Sequence, residues 1–159
     1  MEILKGADSK PKHLKILVYG SPGVGKTRFG ATAPKPIFLD AEGGTLSIAD
    51  KNFDRIPIKT YKDAEDAFEY LKNTKHDYLT VVMDSLTEIT KKCMDNILAA
   101  SNREVAQQQD WLRNVERVRR LVRGFRDLPM HVIFICLRND KEDKVTGEMS
   151  YTPSIVGKV

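Results

Sequence analysis

The chain has 159 residues, the size of one ordinary domain, and its 41% hydrophobic content excludes a globally disordered protein. Lys+Arg exceeds Asp+Glu, 26 against 22, so the balance permits an anionic partner without demanding one. No apolar run reaches membrane-spanning length and the opening MEILKGADSKPKH has no apolar h-region, so neither a membrane span nor a signal peptide is expected. Cys93 and Cys136 lack metal-ligand spacing and sit in apolar contexts, which reads as buried thiols in a reducing compartment. The three histidines are scattered and show no metal spacing either.

Residues 1–13 mix charge with Gly6, Ser9 and Pro11, an extended lead-in to a domain running from 14 to 159. Leu14, Ile16, Leu17, Val18 and Tyr19 then predict a buried parallel strand. Gly20, Ser21, Pro22, Gly23, Val24, Gly25, Lys26 and Thr27 fit G-x-x-x-x-G-K-[ST], the phosphate-binding P-loop. The glycines let backbone N–H groups approach a phosphate without a Cβ in the way. Gly25 leads into a helix whose unpaired N–H groups favour an anion. Lys26 reaches the β- and γ-phosphates, and the Thr27 hydroxyl suits Mg²⁺. Arg28 closes the set of candidate nucleotide contacts, and the helix is predicted to continue to Ala33 and stop by Pro34.

Ile37 to Leu39 predicts a second strand, with Asp40, Ala41, Glu42, Gly43 and Gly44 at its carboxyl end. Ligands of open parallel α/β sheets bind at that edge, so Asp40 and Glu42 are both candidates for water activation. Arg55 to Lys59 reads as a short strand at an edge, because Pro57 interrupts it. Thr60 and Asp63 resemble a capping box for a helix over 62–73, with Tyr61, Ala64, Ala67, Phe68 and Leu71 at helical spacing. Residues 79–84 predict another apolar strand, ending in Asp84, the Walker B pattern in which an acid holds Mg²⁺ beside Thr27. Ser85 to Glu88 reads as a capping box for a helix to about Ala100, with Leu86, Ile89, Cys93 and Ile97 inward.

Ser101 to Asp110 is polar and Gln-rich, a loop or helix start. Trp111, Leu112, Val115, Val118, Val122 and Phe125 mark a long amphipathic helix. Its other surface carries Arg113, Arg117 and Arg120 in one row and Arg119, Arg123 and Arg126 in the next. Such a stripe is either a solvated face or a contact for nucleic acid or an acidic neighbouring subunit. Residues 131–136 predict a fourth buried strand, delivering Leu137, Arg138 and Asn139 to the same edge. Asp140 to Ser150 is charged, a mobile loop or a hairpin, and Met149 to Thr152 starts an outer strand.

Three pieces resemble the RecA-type recombinase core: the P-loop, the strand end FLDAEGG, and TVVMDS. The compact layout and the Thr-Glu that follows Asp84-Ser85 with one residue between are more similar to the phage RecA-like ATPases of single-strand annealing and recombination, grouped with AAA-family ATP-binding proteins. The resemblance spans Leu14 to about Lys158. It implies a three-layer α/β fold with a mainly parallel RecA-like sheet, the Asp84 strand lying beside the P-loop strand. It implies ATP and Mg²⁺ as ligands, Glu42 rather than Asp40 as the catalytic base with Lys26, and Thr27 with Asp84 on the metal. It further implies single-stranded DNA as partner, a homo-oligomer with sites at subunit interfaces, and a cytoplasmic location, in a host if the chain is of phage origin. Two departures stand out. The family's Asn-Gln after the fourth strand reads Leu137-Arg138-Asn139 here, so γ-phosphate sensing falls to Arg138 or Asn139 or is absent. Pro153 to Lys158 matches the family's P-x-x-x-G-K, but the strands that follow it there do not follow here, so a C-terminal truncation is expected.

Other functions fit less well. A nucleotide or small-molecule kinase needs a lid with several arginines, and Arg138 is the only one after the fourth strand. A GTPase needs Asn-Lys-x-Asp, which Arg138-Asn139-Asp140-Lys141 does not supply. A non-hydrolysing ATP-dependent adaptor would have no use for Glu42.

Overall fold

The computed structural model describes residues 12–155. Residues 1–11 of the predicted lead-in and the Gly157-Lys158 end of the C-terminal motif lie outside them. In chain order the elements are β1 (Lys15–Gly20), α1 (Lys26–Gly30), β2 (Pro36–Asp40), a 3-10 helix (Gly44–Ile48) and β3 (Asp54–Pro57). There follow α2 (Tyr61–Asn73), β4 (Thr80–Asp84), α3 (Leu86–Ala100), α4 (Gln108–Asp127), β5 (His131–Glu142) and β6 (Met149–Pro153). Five strands form a parallel sheet in the order β1-β5-β4-β2-β3, and β6 pairs antiparallel with the far end of β5. One layer of core joins α2, α3 and α4 to the sheet through residues such as Tyr61, Leu71, Ile89, Cys93 and Phe125. The opposite layer, around Phe38, Ile48, Val82 and Ile135, is covered by the segment after β1 and by Phe53.

The order corrects one expectation. The Asp84 strand does not lie beside the P-loop strand: β5 sits between them, paired with β1 on one side and β4 on the other. The burial of each strand gives the reason. Val132 to Cys136 are buried on both faces and need strands on both flanks. β1 is not the fully buried strand its composition predicts. It alternates between exposed and half-buried residues, with Leu17 47% and Tyr19 44% exposed, and takes an edge.

Helix α1 ends at Gly30, short of the predicted Ala33. Gly30 lies against the sheet, where a Cβ would fall 2.8 Å from a methyl of Val82 and 3.3 Å from the Phe38 ring. This close approach carries α1 across to β4 and β2. Helix α2 begins with the capping box predicted at Thr60 and Asp63. At α3 only half of the predicted box forms: the Ser85 hydroxyl accepts the Glu88 N–H, while the Glu88 carboxylate pairs with Lys91 at 2.6 Å. Helix α4 starts at Gln108, and its buried face is Asp110, Asn114, Val118, Leu121 and Phe125, leaving Trp111 and Leu112 largely exposed.

The segment after β5 is a hairpin, with β5 running on to Glu142 and β6 returning. Both cysteines are buried; burial pushes the Cys93 thiol up to about 11 and that of Cys136 up to about 12, so neither is a nucleophile. Among the described residues no helix is long and apolar enough to cross a membrane.

Candidate functional site

The carboxyl ends of β2 and β4 are in register, Asp40 opposite Asp84, so two acids stand side by side at one edge of the sheet. The P-loop arrives at the same edge from β1, and α1 spans the width of β5 to meet them. Its second residue, Thr27, donates its hydroxyl to Asp84 Oδ2 at 2.6 Å. Two oxygens of the kind that suits Mg²⁺ therefore converge, although the P-loop strand and the Asp84 strand are not neighbours. A cleft of about 490 Å³ opens there, lined by Pro22, Gly23, Gly25, Lys26, Thr27, Arg28, Glu42, Gly44, Ser47, Asp84 and Leu137.

Gly23 and Gly25 take φ of +79° and +92°, a region that favours glycine, and a Cβ on either would meet nothing within 4 Å. Their constraint is backbone conformation, with open space above the loop. Lys26 Nζ donates to the carbonyls of Gly20 at 2.9 Å and Ser21 at 2.7 Å. No carboxylate neutralises it among the described ion pairs. Gly20 and Ser21 thus hold the lysine rather than line the cleft, and Val24, 63% exposed, does not line it either. Burial raises the Asp84 carboxyl above its ordinary value, opposed by the Thr27 hydrogen bond and reinforced by the nearby charges of Glu42 and Asp40. A divalent cation would relieve that crowding of acids.

Asp40 and Glu42, of which the resemblance favours Glu42 as the base, have different surroundings. Asp40 is buried, and its oxygens are engaged by its own loop and by Arg55 of β3. They accept the Gly43 N–H at 2.7 Å, the Thr45 hydroxyl, and Arg55 Nη1 at 3.4 Å. Glu42 instead faces the cleft, where its Oε1 accepts the hydroxyl of Ser85. The Ala41 N–H donates to Asp84 O at 2.7 Å, tying this loop to β4.

Arg138 and Asn139 do not line the cleft. Arg138 pairs with Asp140 at 2.6 Å and lies 4.5 Å over the Tyr151 ring, both on the hairpin. Leu137 takes the cleft position instead. Thr87 fixes this junction: its hydroxyl donates to Ser154 O at 2.7 Å and accepts the Leu137 N–H at 3.0 Å. Sequence reasoning missed Ser47, Thr45 and Arg55; a short 3-10 turn and a cross-strand ion pair leave no periodic signal.

A mainly parallel sheet flanked by helices, with a P-loop meeting a strand-end acid across one intervening strand, defines a P-loop ATPase fold. The family model for an AAA domain, AAA_24, matches residues 12–159, and the chain belongs to that family. Among solved structures, the fold is similar to that of a prototypical ATPase from the type III secretion system of pathogenic bacteria, with a TM-score of 0.58 at 16% identity. The match covers 83% of this chain and 47% of that one, so this chain spans about half of its length. The search of curated proteins gives no match.

Proposed function

We propose that this chain hydrolyses ATP with a RecA-like mechanism and acts on single-stranded DNA as a homo-oligomer. The observation that carries the ATPase reading is the shared cleft of Lys26, Thr27, Asp84 and Glu42. Lys26 and the P-loop N–H groups neutralise the phosphates. Thr27 and Asp84 would hold Mg²⁺, which when bound supplies charge neutralisation at the β- and γ-phosphates. Glu42 accepts a proton from a water as that water attacks the γ-phosphorus in line, and the bond from phosphorus to the ADP oxygen breaks.

For single-stranded DNA the support is the resemblance in the three motifs together with helix α4. Arg113, Arg119, Arg120 and Arg123 are exposed there and have no acidic partner among the described residues. Arg117 drops out of the predicted row: it lies 4.5 Å over the Tyr61 ring and bonds Asn96 at 2.7 Å.

The test is Glu42→Gln, which keeps the shape and removes the basicity. ATP affinity, measured by calorimetry, is expected to stay near the parent value. Turnover, followed by phosphate release, is expected to fall roughly a hundredfold or more, the range for a lost general base. Turnover at the parent rate would reject Glu42 as the base and with it the RecA-like mechanism, whereas no turnover in the parent itself would leave an ATP-gated adaptor.

A further inference from the structure

We infer that Ser85 is the positioning residue of the Glu42 carboxylate: its hydroxyl fixes one carboxylate oxygen so that the other faces the attacking water. The inference rests on Glu42 as the base under the reading above. Ser85 is 1% exposed and stands at the end of β4, one residue after Asp84. Its hydroxyl has one proton, and that proton goes to Glu42 Oε1. One of its lone pairs accepts the Glu88 N–H at 3.3 Å, the N-cap bond of α3. The helix thus orients the oxygen, and the oxygen orients the carboxylate.

Capping alone does not account for this arrangement. An N-cap needs only an acceptor, which Asp supplies as well as Ser, whereas Glu42 needs a donor. Glu42 Oε2 has no hydrogen-bond partner among the described residues, so it remains available to water. A glutamate without the Ser85 bond has three side-chain torsions with which to leave the cleft. The hydroxyl, anchored on a central strand, restricts them before substrate arrives. That is preorganisation of a base, and its loss is felt in the chemical step more than in substrate binding.

The experiment measures kcat and KM for ATP, with melting temperature as a control, in the parent, Ser85→Ala, Ser85→Gly, Glu42→Gln and the double variant Ser85→Ala with Glu42→Gln. Gly is nearly as good an N-cap as Ser, so Ser85→Gly removes the hydroxyl while largely sparing the helix start. Both hydroxyl-free variants are expected to lose kcat alike, roughly 10- to 100-fold, with KM changed less than about threefold. In the Glu42→Gln background Ser85→Ala is expected to add no further loss, because the residue it acts through is already inactive. Parent-level kcat in both hydroxyl-free variants would overturn the inference. So would the same fold-loss added on top of Glu42→Gln, or a loss in Ser85→Ala that Ser85→Gly restores. Glu42→Gln at the parent rate is a separate result: it rejects the base assignment itself.

Discussion

Asp40→Asn separates two acids that stand two residues apart at the end of β2. In the parent, Asp40 Oδ1 accepts the Gly43 N–H, while Oδ2 accepts the Thr45 hydroxyl and Arg55 Nη1. Asparagine keeps one acceptor and puts an amide donor where Oδ2 was. The Gly43 bond survives. Thr45 is 2% exposed, so its hydroxyl loses a charged acceptor with no water to replace it, a cost of about 1–3 kcal/mol. Arg55 is half-exposed and its contact is long, so that pair adds about 0–1 kcal/mol. The sum, about 1–4 kcal/mol, corresponds to a melting temperature lower by roughly 2–16 °C for a chain of this size. Scanning calorimetry of the nucleotide-free protein reads this directly. Below the transition, ATP turnover is expected to fall less than about tenfold, because Glu42 itself is untouched. A melting temperature within about 1 °C of the parent would refute the view that Asp40 holds the loop. A turnover loss as large as that of Glu42→Gln would make Asp40 a partner in the chemistry.

Lys26→Ala removes the cation held over the P-loop carbonyls and is expected to abolish tight ATP binding; unchanged affinity by calorimetry would contradict the nucleotide assignment. Asp84→Asn is expected to weaken Mg²⁺-dependent ATP binding yet raise the melting temperature of the protein in EDTA at neutral pH. Burial raises the folded carboxyl above its unfolded value, so ionisation opposes folding. That penalty is absent below the ordinary carboxylate range and grows as pH rises through the raised value, so the gain should vanish near about pH 4. A gain that persists in acid, or no gain at all, refutes the argument. Arg119→Glu with Arg123→Glu reverses charge on the exposed arc of α4 and spares Arg117. Single-stranded DNA affinity is expected to fall and its salt dependence to flatten, and parent-like binding would make the arc a solvated surface.

The parts of the site that a short contiguous run specifies were legible in the sequence. Gly23, Gly25 and Thr27 lie within eight residues, and the left-handed turn conformation of the two glycines needs no distant partner. The Thr60 capping box and the apolar face of α3 were legible for the same local reason. The different surroundings of Asp40 and Glu42 were not, and only the resemblance to the RecA-type core favoured Glu42. Those surroundings depend on Thr45, Arg55 and Ser85, which reach the acids only after three strands and a 3-10 turn have assembled. Arg117 read as one of a row of equals, until packing against Tyr61 and Asn96 set it apart.

By itself, then, the sequence determined the strands, most of the helices, the phosphate loop and the acid at the end of β4, because each is written in side-chain period, turn chemistry or a fixed motif. Only the tertiary structure decided the strand order, with β5 between the P-loop strand and Asp84. A list of apolar runs has no order in space; order follows from which strands are buried on both faces and which helix can lie close. Gly30 allows that close approach, and through it Thr27 reaches Asp84 across an intervening strand.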